Sequence, residues 1–161
     1  MDSKQSERGI ALLRIVFGFW LLQSSLSHLV WKPWPAADGE HVQAITLQLA
    51  EISLGHPTGW VRWIVQEYLL PQVQWYVPGV LGVELIAGLS LTFGLLTVPG
   101  ALLALLLAVG TGILTHYQGQ TQLAYHLFLG FAALVFIASR AGRRWGLDAL
   151  LKGIRERSLL W

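Results

Sequence analysis

The sequence contains no cysteine among its 161 residues. The chain therefore forms no disulfide, binds no iron–sulfur cluster through thiolates, attaches no haem through a Cys-x-x-Cys-His pair and offers no thiol nucleophile. Any redox group that the chain uses must belong to a partner or bind without a covalent link.

Charged side chains are also scarce, at 12% of the residues, whereas 54% of the residues are hydrophobic. Soluble domains carry about a quarter charged residues, so the apolar excess is expected to face lipid. The formal net charge is only +2, and the basic residues cluster near the chain ends instead of forming a stripe with exposed aromatics. This pattern argues against a nucleic-acid-binding surface.

Long apolar runs predict four transmembrane helices, at about residues 9–31, 76–96, 100–115 and 122–139. At a rise of about 1.5 Å per residue, the first run is long enough to cross a hydrocarbon core of roughly 30 Å. This run exceeds the apolar part of a signal peptide, so it is expected to remain uncleaved. The last three runs have short connections, which require antiparallel neighbours. The predicted fold is all-α: one domain over residues 1–161, a four-helix transmembrane bundle running up-down-up-down.

The distribution of lysine and arginine predicts the orientation of this bundle. Nine of these residues lie near the chain ends: Lys4, Arg8, Arg14, Arg140, Arg143, Arg144, Lys152, Arg155 and Arg157. Two others, Lys32 and Arg62, lie in the first loop, and the other two loops contain none. Basic residues are enriched in cytoplasmic loops. We therefore predict a multi-pass protein of the inner (plasma) membrane with both termini in the cytoplasm.

The segment from about residue 32 to 74 predicts two short amphipathic helices in the first external loop. Trp60 and Trp63 share a face of the second one, as is typical of the headgroup boundary. Another short amphipathic helix is predicted near the C-terminus, where leucines alternate with basic residues from about residue 147. His41 and His56 lie in the external segment and are expected to face water.

Glu84 lies near the middle of the second predicted transmembrane helix. A carboxyl group at this depth is costly and usually faces the bundle interior or a wet cavity. It can act as a proton carrier, or it can be a neutral group bonded to a serine, a tryptophan or a backbone carbonyl. Glu84 is therefore the candidate catalytic residue, in the role of proton carrier.

Three histidines, His28, His116 and His126, fall in the outer half of the predicted bundle. Imidazoles there can hydrogen-bond a quinone carbonyl, relay protons, or ligate a metal or haem. The alternative is that they meet interfacial water, which suits His116 best. No His-x-x-x-His or His-Glu-x-x-His pair supplies two ligands on one helix face, so no metal site is predicted.

Gln23 and Tyr125 add hydrogen-bonding groups to the same outer region. The predicted ligand-binding set is His28, His126, Tyr125, Gln23 and His116. Arg14, near the inner end of the first helix, is interpreted as extending to cytoplasmic phosphates. A stripe of small residues at four-residue spacing on the third helix predicts close packing against another helix: Gly100, Ala104, Ala108 and Gly112.

Three stretches resemble the DoxX/DoxD family of four-helix membrane proteins. They are VELIAGLSLTFGLLTVPGALLALLLAV (83–109), ALLRIVFGFWLLQSSLSHL (11–29) and SRAGRRWGLDALL (139–151). A fourth stretch, HPTGWVRWIVQEYLLPQVQWY (56–76), resembles the DoxD branch, which is the membrane subunit of thiosulfate:quinone oxidoreductase. The resemblance covers residues 11–151.

Two motifs carry this resemblance most specifically. In the second helix a glutamate precedes spaced glycines and leucines: Glu84, Gly88, Leu91, Gly94 and Leu95. After the fourth helix a turn rich in glycine and arginine precedes a Leu-Asp motif: Gly142, Arg143, Arg144, Leu147 and Asp148. The family commonly has a basic residue near the end of the first helix, where this chain has His28.

The resemblance implies a membrane subunit of a quinone-linked oxidoreductase, with quinone as substrate or bound ligand and no covalent cofactor. Other members of the family have accessory roles. The alternative is therefore a non-catalytic subunit of a larger respiratory or photosynthetic membrane complex. A small transporter is a third hypothesis. It is less favoured, because the four helices lack the paired broken segments expected of transporter folds. Expected partners are the lipid bilayer and other membrane-complex subunits.

Overall fold

The computed structural model describes residues 3–30, 36–139 and 146–147, and the fold is all-α. The helices are α1 (Ser3–His28), α2 (Gly39–Gly55), α3 (Gly59–Ile64), α4 (Val73–Phe93), α5 (Thr97–Thr115) and α6 (Gln120–Ser139). A π-helical turn, Val65–Leu69, follows α3, and a 3-10 turn, His116–Gln118, follows α5. The two-residue strands β1 (Leu29–Val30) and β2 (Ala36–Ala37) pair antiparallel, with Leu29 opposite Ala37.

Four of the described helices, α1, α4, α5 and α6, are long and apolar enough to cross a membrane. The candidate spans are Glu7–His28, Val73–Phe93, Thr97–Gln118 and Gln120–Ser139. The two helices of the predicted first loop are also present, as α2 and α3. The short helix predicted near the C-terminus lies outside the described residues, apart from Gly146 and Leu147.

The boundary between α4 and α5 differs from the prediction. The sequence predicts a connection at residues 97–99, but α4 ends at Phe93 and α5 already begins at Thr97. Gly94 adopts φ +64°, which a glycine tolerates without a steric penalty, and this terminates α4. Pro99 lies in the first turn of α5, where its missing N–H has no helical partner to lose. The proline therefore starts a helix instead of ending one.

Helices α1 and α4 pack closely in antiparallel orientation. The Ser25 hydroxyl donates to the Leu81 carbonyl oxygen at 2.8 Å. Farther along, a Cβ added at Gly88 would lie 2.8 Å from the backbone nitrogen of Leu22. Ser25 lies against Leu81, whereas Leu22, earlier in α1, lies against Gly88, later in α4. The two helices therefore run in opposite directions. Small side chains thus allow the two backbones to approach each other.

The stripe of small residues on α5 is a helix contact, as predicted. Ala104 and Ala108 are only 3% and 4% exposed. At one end of the stripe Gly100 lies against Ser90 of α4. At the other end a Cβ added at Gly112 would lie 3.2 Å from the Cβ of His126 on α6. The stripe therefore joins α5 to both of its neighbours.

Two hydrophobic clusters organise the described packing. The first joins the long helices around Phe17 and Phe136, whose ring centroids are 5.5 Å apart in an edge-to-face arrangement. The second attaches α2 and α3 to the bundle through Ile52, Val61, Val65 and Val77. This second cluster holds the loop helices over one end of the long helices.

The position of the Arg14 side chain differs from the one inferred from the sequence. Its side chain is fully buried, so it does not extend to phosphates at the membrane surface. A Cβ added at Gly94 would lie 2.6 Å from Arg14 Nη1, which places the guanidinium against the α4–α5 turn. Because Gly94 has no side chain, the Arg14 guanidinium fits against this turn.

Candidate functional site

A cavity of about 380 Å³ lies where α1 and α5 end and α4 and α6 begin, with α2 beside it. Its polar lining comes from all five helices: Ser24, His28, His41, Gln48, Tyr76, Glu84, Thr111, Thr115, Gln122, Tyr125 and His126. Isoleucine, leucine and valine side chains form much of the remaining wall. Apolar walls with convergent polar groups are the usual form of a small-molecule site.

The predicted proton carrier Glu84 lies in this cavity and is partly buried. The Ser24 hydroxyl of α1 donates to Glu84 Oε2 at 3.3 Å. Ser24 and Ser25 are adjacent, and Ser25 fixes the distance between α1 and α4 through its bond to Leu81. The packing of the two helices therefore positions the Ser24 donor beside the carboxyl group.

His126 has a defined protonation pattern because of Thr111. The Thr111 hydroxyl donates its single proton to the Leu107 carbonyl oxygen at 2.6 Å. The contact of 3.2 Å between Thr111 Oγ1 and His126 Nδ1 therefore requires Nδ1 to carry a proton and donate it. In the neutral ring Nε2 is then an acceptor. His126 thus offers a lone pair that can bind a hydroxyl group or take up a proton.

Tyr125 precedes His126 on α6 and also lines the cavity. Its ring packs edge-to-face against Trp20 of α1, with centroids 5.8 Å apart. This contact connects α6 to α1 across the bundle. The tyrosine thereby forms part of the cavity wall near α1.

His28 lies in the cavity wall and stacks on His41, a residue that the sequence places in water. The ring centroids are 3.9 Å apart and the rings are inclined by 14°. The β1–β2 bridge turns the chain back, and the Asp38 N–H donates to the His28 carbonyl oxygen at 2.8 Å. This return brings His41, on the first turn of α2, over the end of α1. Sequence spacing alone carries no signal of this pairing.

His56 is likewise not in water, because its side chain is fully buried. Its Nδ1 accepts a hydrogen bond from the Thr58 N–H at 3.0 Å. Nε2 must therefore carry the proton, and it donates to the Ile113 carbonyl oxygen at 3.1 Å. Arg62 donates to the His56 carbonyl oxygen at 2.9 Å. His56 thus attaches the end of α2 to α5.

Gln23 and His116, two members of the predicted set, are outside the cavity. Gln23 is exposed on α1. His116 is also exposed, and its Nδ1 donates to the Ile113 carbonyl oxygen at 3.0 Å. The cavity contains the other predicted residues, and the structure adds further polar side chains, among them His41, Gln48 and Thr111.

The His28–His41 stack predicts a pH-dependent contact between α2 and the bundle. Burial lowers the pKa of His41 below its usual 6.5, and the nearby His28 lowers it further, against the opposing effect of Asp38. Because the pKa of His41 is lowered when α2 is docked on the bundle, protonation of His41 favours the undocked state of α2. Docking of α2 therefore weakens as the pH falls below about 6.5. We expect acid to open the α2 side of the cavity.

A single cysteine in this cysteine-free chain can measure that opening. Ile45 lines the cavity, so labelling of Ile45→Cys reports on its opening. Leu47 is 62% exposed, so Leu47→Cys is the control. The rate of Ile45→Cys labelling, divided by that of Leu47→Cys, should rise severalfold between pH 7.5 and pH 5. Adding His41→Phe should keep the ring contact and remove this rise. A ratio that is constant with pH would exclude the effect.

Among the described residues, no three His, Cys, Asp or Glu side chains are grouped so as to hold a metal ion. Glu84 and His126 can exchange hydrogen bonds or protons with an organic ligand in the cavity. Comparison with known proteins found no matching family model, curated protein or solved structure.

Proposed function

We propose that the chain is the membrane subunit of a quinone-linked oxidoreductase and that the quinone ring binds in the cavity beside Glu84. The observation that carries this proposal is the pairing of a carboxyl group with an imidazole acceptor around one largely apolar cavity of about 380 Å³. Apolar walls suit the ring, a neutral Glu84 carboxyl group can donate to a quinone oxygen, and His126 Nε2 can accept from a hydroxyl of the quinol. The residues present therefore fit a quinone.

The proposed chemistry is the reduction of a quinone to a quinol by two electrons and two protons. Glu84, surrounded by apolar helices, is expected to be neutral and to donate one proton to a ring oxygen, and water supplies the second proton to the other ring oxygen. His126 Nε2 accepts a hydrogen bond from the hydroxyl of the product. The electrons come from a donor oxidised at the outer face, either directly or through a partner subunit. In the DoxD branch, which residues 56–76 resemble, this donor is thiosulfate.

The proposal includes a topology in which the four long helices run up-down-up-down and both termini are cytoplasmic. The antiparallel contacts of α1 with α4 support this arrangement, as does the excess of basic residues near the chain ends. The cavity then lies in the outer half of the inner membrane. Helix α2 covers it from the external side.

Cysteine labelling of intact cells tests this topology. An impermeant reagent should modify Glu40→Cys, which is exposed at the start of α2, and should not modify Glu156→Cys. The background is low because the protein has no cysteine of its own. Labelling of Glu156→Cys without labelling of Glu40→Cys would reverse the orientation.

The quinone proposal is tested with protein purified in mild detergent. Organic extraction of this sample should release quinone in near-stoichiometric amount, and Glu84→Gln and His126→Ala should reduce that amount. Quinone at the level of the empty detergent fraction, in a sample that remains monodisperse, would contradict the proposal.

The second candidate is a non-catalytic subunit of a larger membrane complex. Exposed aromatic side chains around α3 and the start of α4 favour it: Trp60, Trp63, Tyr68 and Trp75. Trp75 is 82% exposed, and aromatic residues are enriched in protein interfaces as well as at the headgroup boundary. Stoichiometric co-purification with a large complex, without quinone in the extract, would favour this candidate.

A further inference from the structure

Helices α5 and α6 lie close together beside the cavity, at Gly112. A Cβ added at this glycine would lie 3.2 Å from the Cβ of His126, which is closer than two such carbons usually approach. The residue before this glycine is Thr111, and its hydroxyl oxygen contacts His126 Nδ1 at 3.2 Å. The Thr-Gly pair of α5 thus supplies both the room for the imidazole and a hydrogen-bond partner for it.

The proton of the Thr111 hydroxyl is already engaged on its own helix. It is donated to the Leu107 carbonyl oxygen, 2.6 Å away and one turn earlier in α5. Thr111 Oγ1 therefore meets His126 as an acceptor and holds the proton of the neutral imidazole on Nδ1. Nε2 is the ring nitrogen left for a ligand in the cavity, and in this tautomer it can only accept.

An acceptor at this position distinguishes the two redox forms of a quinone. The oxidised ring has carbonyl oxygens, which only accept hydrogen bonds, whereas the quinol, formed by two electrons and two protons, has hydroxyl groups that donate. Opposite Nε2 a quinol hydroxyl gains a hydrogen bond, but a quinone carbonyl leaves lone pairs facing each other. Several other side chains of the cavity carry both donors and acceptors and so fit either form: Gln48, Tyr76, Gln122 and Tyr125.

On the basis of the proposed quinone function, we infer that Thr111 is a positioning residue that makes the site bind the quinol more tightly than the quinone. It acts through His126, by holding Nε2 as an acceptor. Tighter binding of the quinol raises the two-electron potential of the bound ligand, by about 30 mV for each factor of ten in affinity. The site thereby favours reduction of the quinone over the reverse reaction.

The first measurement is the dissociation constant of each redox form of one soluble short-chain benzoquinone, with the quinol kept reduced under anaerobic conditions. At about pH 8, above the usual imidazole pKa of about 6.5, the wild type should bind the quinol about tenfold or more tightly, because the quinone leaves one buried acceptor unsatisfied. Thr111→Val keeps the size of the side chain and removes the acceptor for Nδ1, so this preference should fall about threefold or more. Thr111→Ser keeps the hydroxyl group and should retain the preference.

Thr46→Val is the matched control for the loss of a threonine hydroxyl. Thr46 is partly buried, as Thr111 is, and it donates to the carbonyl oxygen of Val42, four residues earlier, at 2.7 Å. It does not line the cavity, so its replacement should leave the preference for the quinol unchanged.

The second measurement is the ¹⁵N NMR spectrum of protein labelled in its histidines, because the protonated and unprotonated nitrogens of a neutral imidazole resonate at different frequencies. The signals of His126 are identified by their absence from His126→Phe. They should show the proton on Nδ1 in the wild type and in Thr111→Ser. In Thr111→Val the proton should move at least partly to Nε2.

His126→Phe also tests the inference without depending on the folding of Thr111→Val, because it keeps an aromatic ring and removes the acceptor. An unchanged preference for the quinol in either folded variant overturns the inference. A wild-type proton on Nε2 or on both nitrogens, or equal affinity for the two redox forms, overturns it and leaves the quinone function intact. Binding of neither form overturns both.

Discussion

Replacing Glu84 with glutamine should abolish quinone-linked turnover and leave the folded protein intact. Glutamine has nearly the same size and still accepts the Ser24 hydrogen bond, but it cannot release a proton. Positioned acid–base groups accelerate reactions by about 10²–10⁴-fold, so a loss of this size is expected. The assay follows reduction of a soluble quinone analogue by an artificial electron donor in detergent-solubilised protein.

Glu51→Gln is the matched control for this prediction. Glu51 is exposed on α2 and does not line the cavity, so the same chemical change there should leave turnover within a factor of two of the wild type. Normal turnover in a folded Glu84→Gln protein would exclude the proton-carrier role. Loss of the folded protein would show that the carboxyl group is structural.

The Gly88→Ala substitution should destabilise the bundle, although alanine is the better helix former. The added methyl would lie 2.8 Å from the Leu22 nitrogen and 3.0 Å from the Gly18 carbonyl oxygen. Both are backbone atoms, so relief requires α1 and α4 to separate. Overpacking of this kind costs about 1–3 kcal/mol, which exceeds the gain of about 1 kcal/mol from replacing a helical glycine with alanine.

Gly82→Ala, on the same helix, separates steric overlap from helix propensity. Its added Cβ meets nothing within 4 Å, so it should be neutral or slightly stabilising. The measurement is the fraction of monodisperse protein that survives a series of heating steps, judged by size exclusion. Gly88→Ala should fail at a lower temperature than the wild type and Gly82→Ala should not. Equal heat resistance of the two variants would show that α1 and α4 adjust freely.

Much of the fold is predictable from the sequence because a spanning helix is a local property. A run of about twenty apolar residues predicts a spanning helix directly, because all backbone hydrogen bonds of such a helix are made within the same segment. The helix ends were less predictable, as Pro99 shows. A proline can end one helix or begin the next, and which occurs depends on the turn at Gly94.

The candidate site was only partly predictable. Glu84 is evident in the sequence because it is a carboxyl group within an apolar run, and His28, Tyr125 and His126 lie at a matching depth. Depth does not give the direction in which a side chain projects, and Gln23 and His116 were grouped with them by depth alone. Both lie outside the cavity.

The sequence by itself determined the all-α class, the four apolar helices and the carboxyl group among them, because hydrophobicity and helical period act over neighbouring residues. Tertiary structure alone decided which loop residues belong to the site. His41 reaches His28 through the β1–β2 bridge, and His56 is buried by its bond to Ile113, 57 residues away. Arg14 is buried in the same way by a distant turn. These contacts depend on how helices pack, and a polar residue in a loop has the same local sequence signal whether packing buries it or leaves it in water.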